Sequence, residues 1–140
     1  MPQRDKYHQV VREALEKAGW TIVHDPMMVL IDATRVYIDL AAEKTQGASR
    51  IGIEVKVFES AKFLQEFAGA IGQYIIYRGL LELYHPEREL YLAIPNDVYF
   101  QRMRGRDIQY IFSRNHIHLL LYDAKKKEIA QWIQQPPTRP

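Results

Sequence analysis

The chain has 140 residues, of which 47% are apolar and 26% charged, for a net charge of +2. That length suits a single domain, residues 1–140, with a real hydrophobic core, and the composition is ordinary for a globular protein. The absence of cysteine excludes disulfides and thiolate metal sites, so a metal would need oxygen or histidine ligands; the modest basic charge permits nucleic-acid binding without arguing for it.

Residues 4–18 carry a helical period, with Tyr7, Val11, Ala14, Leu15 and Ala18 on one face and Arg12, Glu13, Glu16 and Lys17 off it. Gly19 stands where a left-handed cap belongs. Short strands are expected at 20–24 and 27–31, separated by the Asp25-Pro26 turn signal. Two clearer strands follow at 35–42 and 50–58, joined by a polar stretch containing Gly47 that suits a hairpin. Ser60 can cap a long apolar helix over 61–83, ended by His85-Pro86. A buried strand over 89–94, helices starting at Pro95-Asn96-Asp97 and spanning 107–114, and a terminal hairpin of 117–122 with 128–133 complete the order. Residues 134–140, QQPPTRP, read as a frayed tail. The fold class is therefore α/β or α+β, a mixed sheet with helices on both faces. No apolar run is long enough for a membrane helix, and the start MPQRDKYHQ has no signal-peptide core, so a cytoplasmic protein is expected.

Side chains alternate across a strand. In 50–58, Ile51, Ile53, Val55 and Val57 form an aliphatic face, and Gly52, Glu54, Lys56 and Phe58 the other. In 35–42, Val36, Ile38 and Leu40 face one way, and Tyr37, Asp39 and Ala41 the other. If the two strands pair with their aliphatic faces together, Asp39, Glu54 and Lys56 converge. Two close carboxylates require a shared cation or proton, and Mg²⁺ prefers carboxylates completed by water. A lysine two residues along the same face can orient water or steady a phosphate. The same pattern also describes a solvated amphipathic strand. In the long helix, Gln73 and Tyr77 lie one turn apart. Gly69, Gly72 and Gly79 each cost about 1 kcal/mol against alanine, which suggests close packing against the sheet.

The series Asp39, Glu54-Val55-Lys56, Gln73-Tyr-Ile-Ile-Tyr77 resembles the Asp…Glu-x-Lys…Gln-x-x-x-Tyr pattern of the PD-(D/E)xK nuclease superfamily, and of its RecB-like branch in particular. Across nearly the whole length, the chain is similar to the fdxN-element excision controlling factors called XisH. The segments carrying this are DKYHQVVREALEKAGWTIVHDP, VYIDLAAEK, IGIEVKVF, GQYIIYRGLL, ELYLAIPNDVY, IHLLLYD and EIAQWI. Ile38 stands where the motif has proline, and Ala33-Thr34-Arg35 where glycine is frequent.

The resemblance implies a restriction-endonuclease-like fold and a role in programmed excision of a DNA element in cyanobacteria, with DNA, a partner called XisI and a site-specific recombinase as partners. It implies Mg²⁺ (or Mn²⁺) held by Asp39, Glu54 and the Val55 carbonyl, with Lys56, Gln73 and Tyr77 in supporting catalytic roles. His8 on the first helix is a further candidate, ahead of Glu13, and Glu43 shares the parity of Asp39. Arg102, Arg104 and Arg106 could hold phosphates. The alternatives are a catalytically silent accessory factor and a nuclease acting on RNA; a homo-oligomer stays open.

Overall fold

Ile51–Val55, Leu90–Ile94 and Leu119–Tyr122 are apolar at every position but Gly52 and Glu54, as expected of strands covered on both faces. In the computed structural model, which describes residues 2–136 and side chains from Lys6 onward, they form the middle of a six-stranded sheet. The elements in chain order are α1 (Pro2–Lys17), β1 (Thr21–His24), β2 (Met27–Ile31), β3 (Thr34–Ile38), β4 (Leu40–Lys44), β5 (Ser49–Val55), α2 (Phe63–Tyr84), β6 (Glu89–Pro95), α3 (Asn96–Arg102), α4 (Arg106–Arg114), β7 (Leu119–Asp123) and β8 (Glu128–Ile133). The sheet order is β1-β4-β5-β6-β7-β8, parallel only at β5–β6 and β6–β7. β2 and β3 pair antiparallel in a small sheet of their own. The expected mixed sheet flanked by helices is what the chain forms.

Strand alternation sorts the core into two layers. Leu40, Ala42, Ile51, Ile53, Val55, Tyr91, Ala93, Leu120 and Tyr122 pack with Val10, Val11 and Leu15 of α1. On the other face, Ala41, Leu90, Leu92, Ile94, Leu119 and Leu121 meet Tyr74, Tyr77 and Leu81 of α2, together with Tyr99, Met103 and Phe112. Gly52 faces α2, where an added Cβ would lie 3.4 Å from the Leu81 side chain and 3.5 Å from that of Leu90, so the helix closes tightly over this point of β5. No helix among the described residues is long and apolar enough to cross a membrane.

Four expectations need correction. The strand expected over 35–42 is two strands in different sheets, broken at Asp39. The break resets the alternation: Ile38 joins the α2 side and Leu40 the α1 side. The strand expected over 50–58 ends at Val55, although the Lys56 N–H still reaches the Ala93 carbonyl at 3.0 Å. The glycines Gly69, Gly72 and Gly79 do not pack against the sheet; each is exposed, with nothing among the described residues within 4 Å of an added Cβ. Residues 134–136 are not frayed: the Gln135 N–H donates to His118 Nδ1 (3.1 Å), and Gln134 Nε2 to Glu89 (3.1 Å). Residues 137–140 of the expected tail lie outside the described residues.

Candidate active site

The interruption at Asp39 organises the site. Leu40 pairs with Ile53 across the β4–β5 ladder, so the next position outward sets Asp39 beside Glu54. There the ordinary ladder gives way to side chains. The Asp39 N–H donates to Glu54 Oε1 (2.9 Å), and the Val55 N–H donates to Asp39 Oδ2 (2.8 Å). Each carboxylate thus fixes backbone of the segment that carries or adjoins the other. A carboxylate is an acceptor only, and a charge-assisted bond to an amide is among the stronger kinds. Both residues are 3% exposed, so the clasp works where solvent screens little.

Glu54, Val55 and Lys56 line an open cavity of ≈ 560 Å³ with Gln73 and Tyr77 of α2, at the end of β5. Asp39 is not part of the lining; it lies behind, joined to the cavity wall through Val55. Gln73 Nε2 donates to the Tyr77 hydroxyl at 3.0 Å, while Gln73 Oε1 is buried without a hydrogen-bond partner among the described residues. In either orientation of the amide one end stays unsatisfied among the described residues, in the cavity that the half-buried Lys56 also lines.

Asp39, Glu54, Lys56, Gln73 and Tyr77 therefore come together, in two tiers. His8 does not line this cavity: its Nε2 lies 2.6 Å from Asp25 Oδ1, and Arg12 pairs with the other oxygen of Asp25 at 2.5 Å. Glu13 faces Lys127 (3.7 Å). Glu43 sits at the far end of β4, with Arg88 at 3.3 Å and Arg50 at 3.7 Å. Two of the three arginines have partners within the chain. Arg102 turns inward, donating to the carbonyls of Phe58 (2.7 Å) and Ser60 (3.2 Å) and covering the Phe63 ring, while Arg104 stacks over Phe100. Arg102 thus ties down the segment between β5 and α2.

The sequence reading missed Arg35, Tyr37 and Glu66, which also line the cavity. Glu66 was within reach: it precedes Gln73 by seven positions, two turns along the same helix face. Arg35 shares parity with Tyr37 on β3, but its arrival at the cavity depends on the hairpin's separate sheet.

Among the described residues no group of three or more His, Asp and Glu side chains forms a cation cage. The donor set still fits a hard divalent ion. Two buried carboxylates side by side require countercharge, and Mg²⁺ commonly takes one or two carboxylates and completes its shell with water.

The family model described as XisH protein matches residues 1–130. The chain is similar to a crystal structure of an XisH family protein from Nostoc punctiforme PCC 73102, at 38% identity and a TM-score of 0.86, covering 92% of this chain and 99% of that one. It is likewise similar to an fdxN element excision controlling factor protein from Anabaena variabilis, at 37% identity and a TM-score of 0.87, covering 93% and 99%. No curated protein matches the chain significantly.

Proposed function

Since the chain belongs to the XisH family, we propose that it is an excision controlling factor whose Asp39–Glu54–Lys56 centre is of the PD-(D/E)xK type and hydrolyses DNA phosphodiesters with Mg²⁺ or Mn²⁺. One observation carries this reading: the reciprocal clasp of Asp39, behind the wall, with Glu54 and Val55 sets Glu54 in a cavity lined also by Lys56, Gln73 and Tyr77. An amphipathic surface strand has no use for a carboxylate held by the backbone of its neighbour at 3% exposure.

In this reading Asp39, Glu54 and the Val55 carbonyl hold the ion, whose chemistry is to neutralise charge developing on the phosphate. Lys56, just past the end of β5, presents its ammonium to a non-bridging phosphate oxygen or to the attacking water. Gln73, fixed by Tyr77, offers its unsatisfied amide atom to Lys56 or to the DNA backbone. Arg35, exposed at the rim, supplies a further phosphate contact. XisI and a site-specific recombinase are the partners this role calls for.

The test is cleavage of supercoiled DNA with Mg²⁺ or Mn²⁺. The wild-type chain is expected to nick or linearise it, and Asp39→Asn and Lys56→Ala each to abolish this. Activity unchanged in both variants would remove the centre from the reaction. A silent accessory role is the second reading, favoured by one fact: Asp39 lies behind the cavity wall with its carboxylate bonded to the Val55 N–H. Under that reading Mn²⁺ binding by calorimetry is absent, and excision control survives Glu54→Gln.

A further inference from the structure

The outward face of α2 is apolar along its whole length. Leu64 and Leu83 are 72% and 68% exposed, Ile75 and Ile76 40% and 50%, and between them stand Ala68, Gly72 and Gly79 with open space beside the glycines. Glu82 is the one charged side chain among the exposed positions of this helix. At its C-terminal end the stripe continues through Tyr84 to Met28 and Leu30 of β2, which border a cavity of ≈ 420 Å³. Monomers rarely expose a continuous apolar patch larger than roughly 300–600 Å². The three glycines weaken a helix that has no internal reason for them, since nothing among the described residues approaches.

The order of residues names the occupant. Leu64, Ala68, Gly72, Ile75, Gly79 and Leu83 are separated by steps of 4, 4, 3, 4 and 4, which read the same from either end. Eleven residues in three turns matches the helical repeat closely, so the stripe runs along the axis rather than winding around it. We propose that this face is an isologous interface with a second copy of the chain, the two α2 helices packing antiparallel about a two-fold axis between positions 73 and 74. That axis sets Leu64 against Leu83 of the second copy, Ala68 against its Gly79, and Gly72 against its Ile75, so that Ile75 meets a glycine. It also sets Glu82 against Gln65 of the second copy, an acceptor against an amide donor, with no like charges opposed. Exposed glycine and alanine let the helix axes approach to the short end of the usual 8–10 Å. Gln73 and Tyr77 face the cavity in each copy, so the interface leaves both candidate sites open.

Sedimentation of the full chain at micromolar concentration is expected to give twice the 16.5 kDa chain mass. Ile75→Glu is expected to halve that mass while leaving the near-ultraviolet circular dichroism unchanged. The chain has no cysteine, which permits a directional test that does not depend on that variant. An oxidised mixture of Leu64→Cys and Leu83→Cys chains is expected to yield a disulfide-linked pair. Either variant alone yields none, because like positions stand about 28 Å apart along antiparallel axes. A monomeric wild type would leave the stripe to a different partner and overturn the proposal. So would a dimer that survives Ile75→Glu, or cross-linking within Leu64→Cys alone.

Discussion

Glu54 has two separable duties, one to the backbone and one to chemistry. Its Oε1 accepts the buried Asp39 N–H, and its charge belongs to the cavity. Glu54→Gln keeps an acceptor in place and removes the charge, so it is expected to cost less stability than deletion of the acceptor while DNA cleavage is lost. Glu54→Ala leaves the Asp39 N–H without that partner and is expected to cost about 1–3 kcal/mol. Urea melts of both variants beside the cleavage assay check this; equal stability losses would mean that the clasp contributes nothing beyond packing. The pairing of Asp39 with Glu54 was legible in the sequence, because a hairpin and strand parity bring them level. The clasp was not. Parity carries no sign that a strand will break, and a carboxylate that replaces a ladder acceptor looks in the sequence like any acidic residue on a polar face.

At the scale of elements, the segment after β8 is strapped to the start of β6 and to the residues just before β7. His118 Nδ1 accepts the Gln135 N–H, His116 Nδ1 lies 2.8 Å from the Pro136 carbonyl, and the His118 ring packs against Tyr91. Burial lowers the His118 pKa below its ordinary 6.5, against the opposing pull of Glu89. The folded imidazole therefore binds its proton less tightly than the unfolded one. Its contribution is complete above pH 6.5 and is lost as the pH falls through the lowered folded value. Protonation would also remove the lone pair that accepts Gln135. The expected result is a melting temperature that drops from pH 7 to pH 5, with a smaller drop in His118→Phe, followed by calorimetry; parallel pH profiles would refute it. The strands and helices themselves were largely legible, since continuous apolar runs bounded by His85-Pro86, Pro95-Asn96-Asp97 and Lys125–Lys127 leave few alternatives. The strap was not, because Gln134, Gln135 and Pro136 carry no periodicity, and their order comes from contacts with side chains about 17–45 positions away.

For the molecule as a whole, the question is what fixes α2 on the sheet, since the candidate site needs Gln73 and Tyr77 in one register against Glu54 and Lys56. Apolar packing alone tolerates sliding. A buried polar bond does not, because displacement leaves its partners unsatisfied. Tyr74 supplies that bond: its hydroxyl donates to the Leu90 carbonyl at 2.7 Å and accepts the His118 N–H at 3.1 Å, joining α2 to β6 and to the residue before β7. Burial raises its pKa to about 12, so the proton it donates stays in place throughout the neutral range. Nearby, Gly52 lets Leu81 settle directly onto β5, so the helix is pinned at two points about two turns apart. The sequence marked Tyr74 only as one more aromatic in an apolar helix; its neighbours Gln73 and Tyr77 drew attention through their motif, while the residue that aims them did not. Tyr74→Phe preserves the ring and strands two buried backbone groups, and is expected to lower stability by about 1–3 kcal/mol in urea unfolding. If register rather than mere stability is what Tyr74 supplies, the variant also loses cleavage activity well below its melting point, and Tyr122→Phe does not, since its buried hydroxyl has no hydrogen-bond partner among the described residues. Full activity in folded Tyr74→Phe would place the control of register in the packing over Gly52 alone.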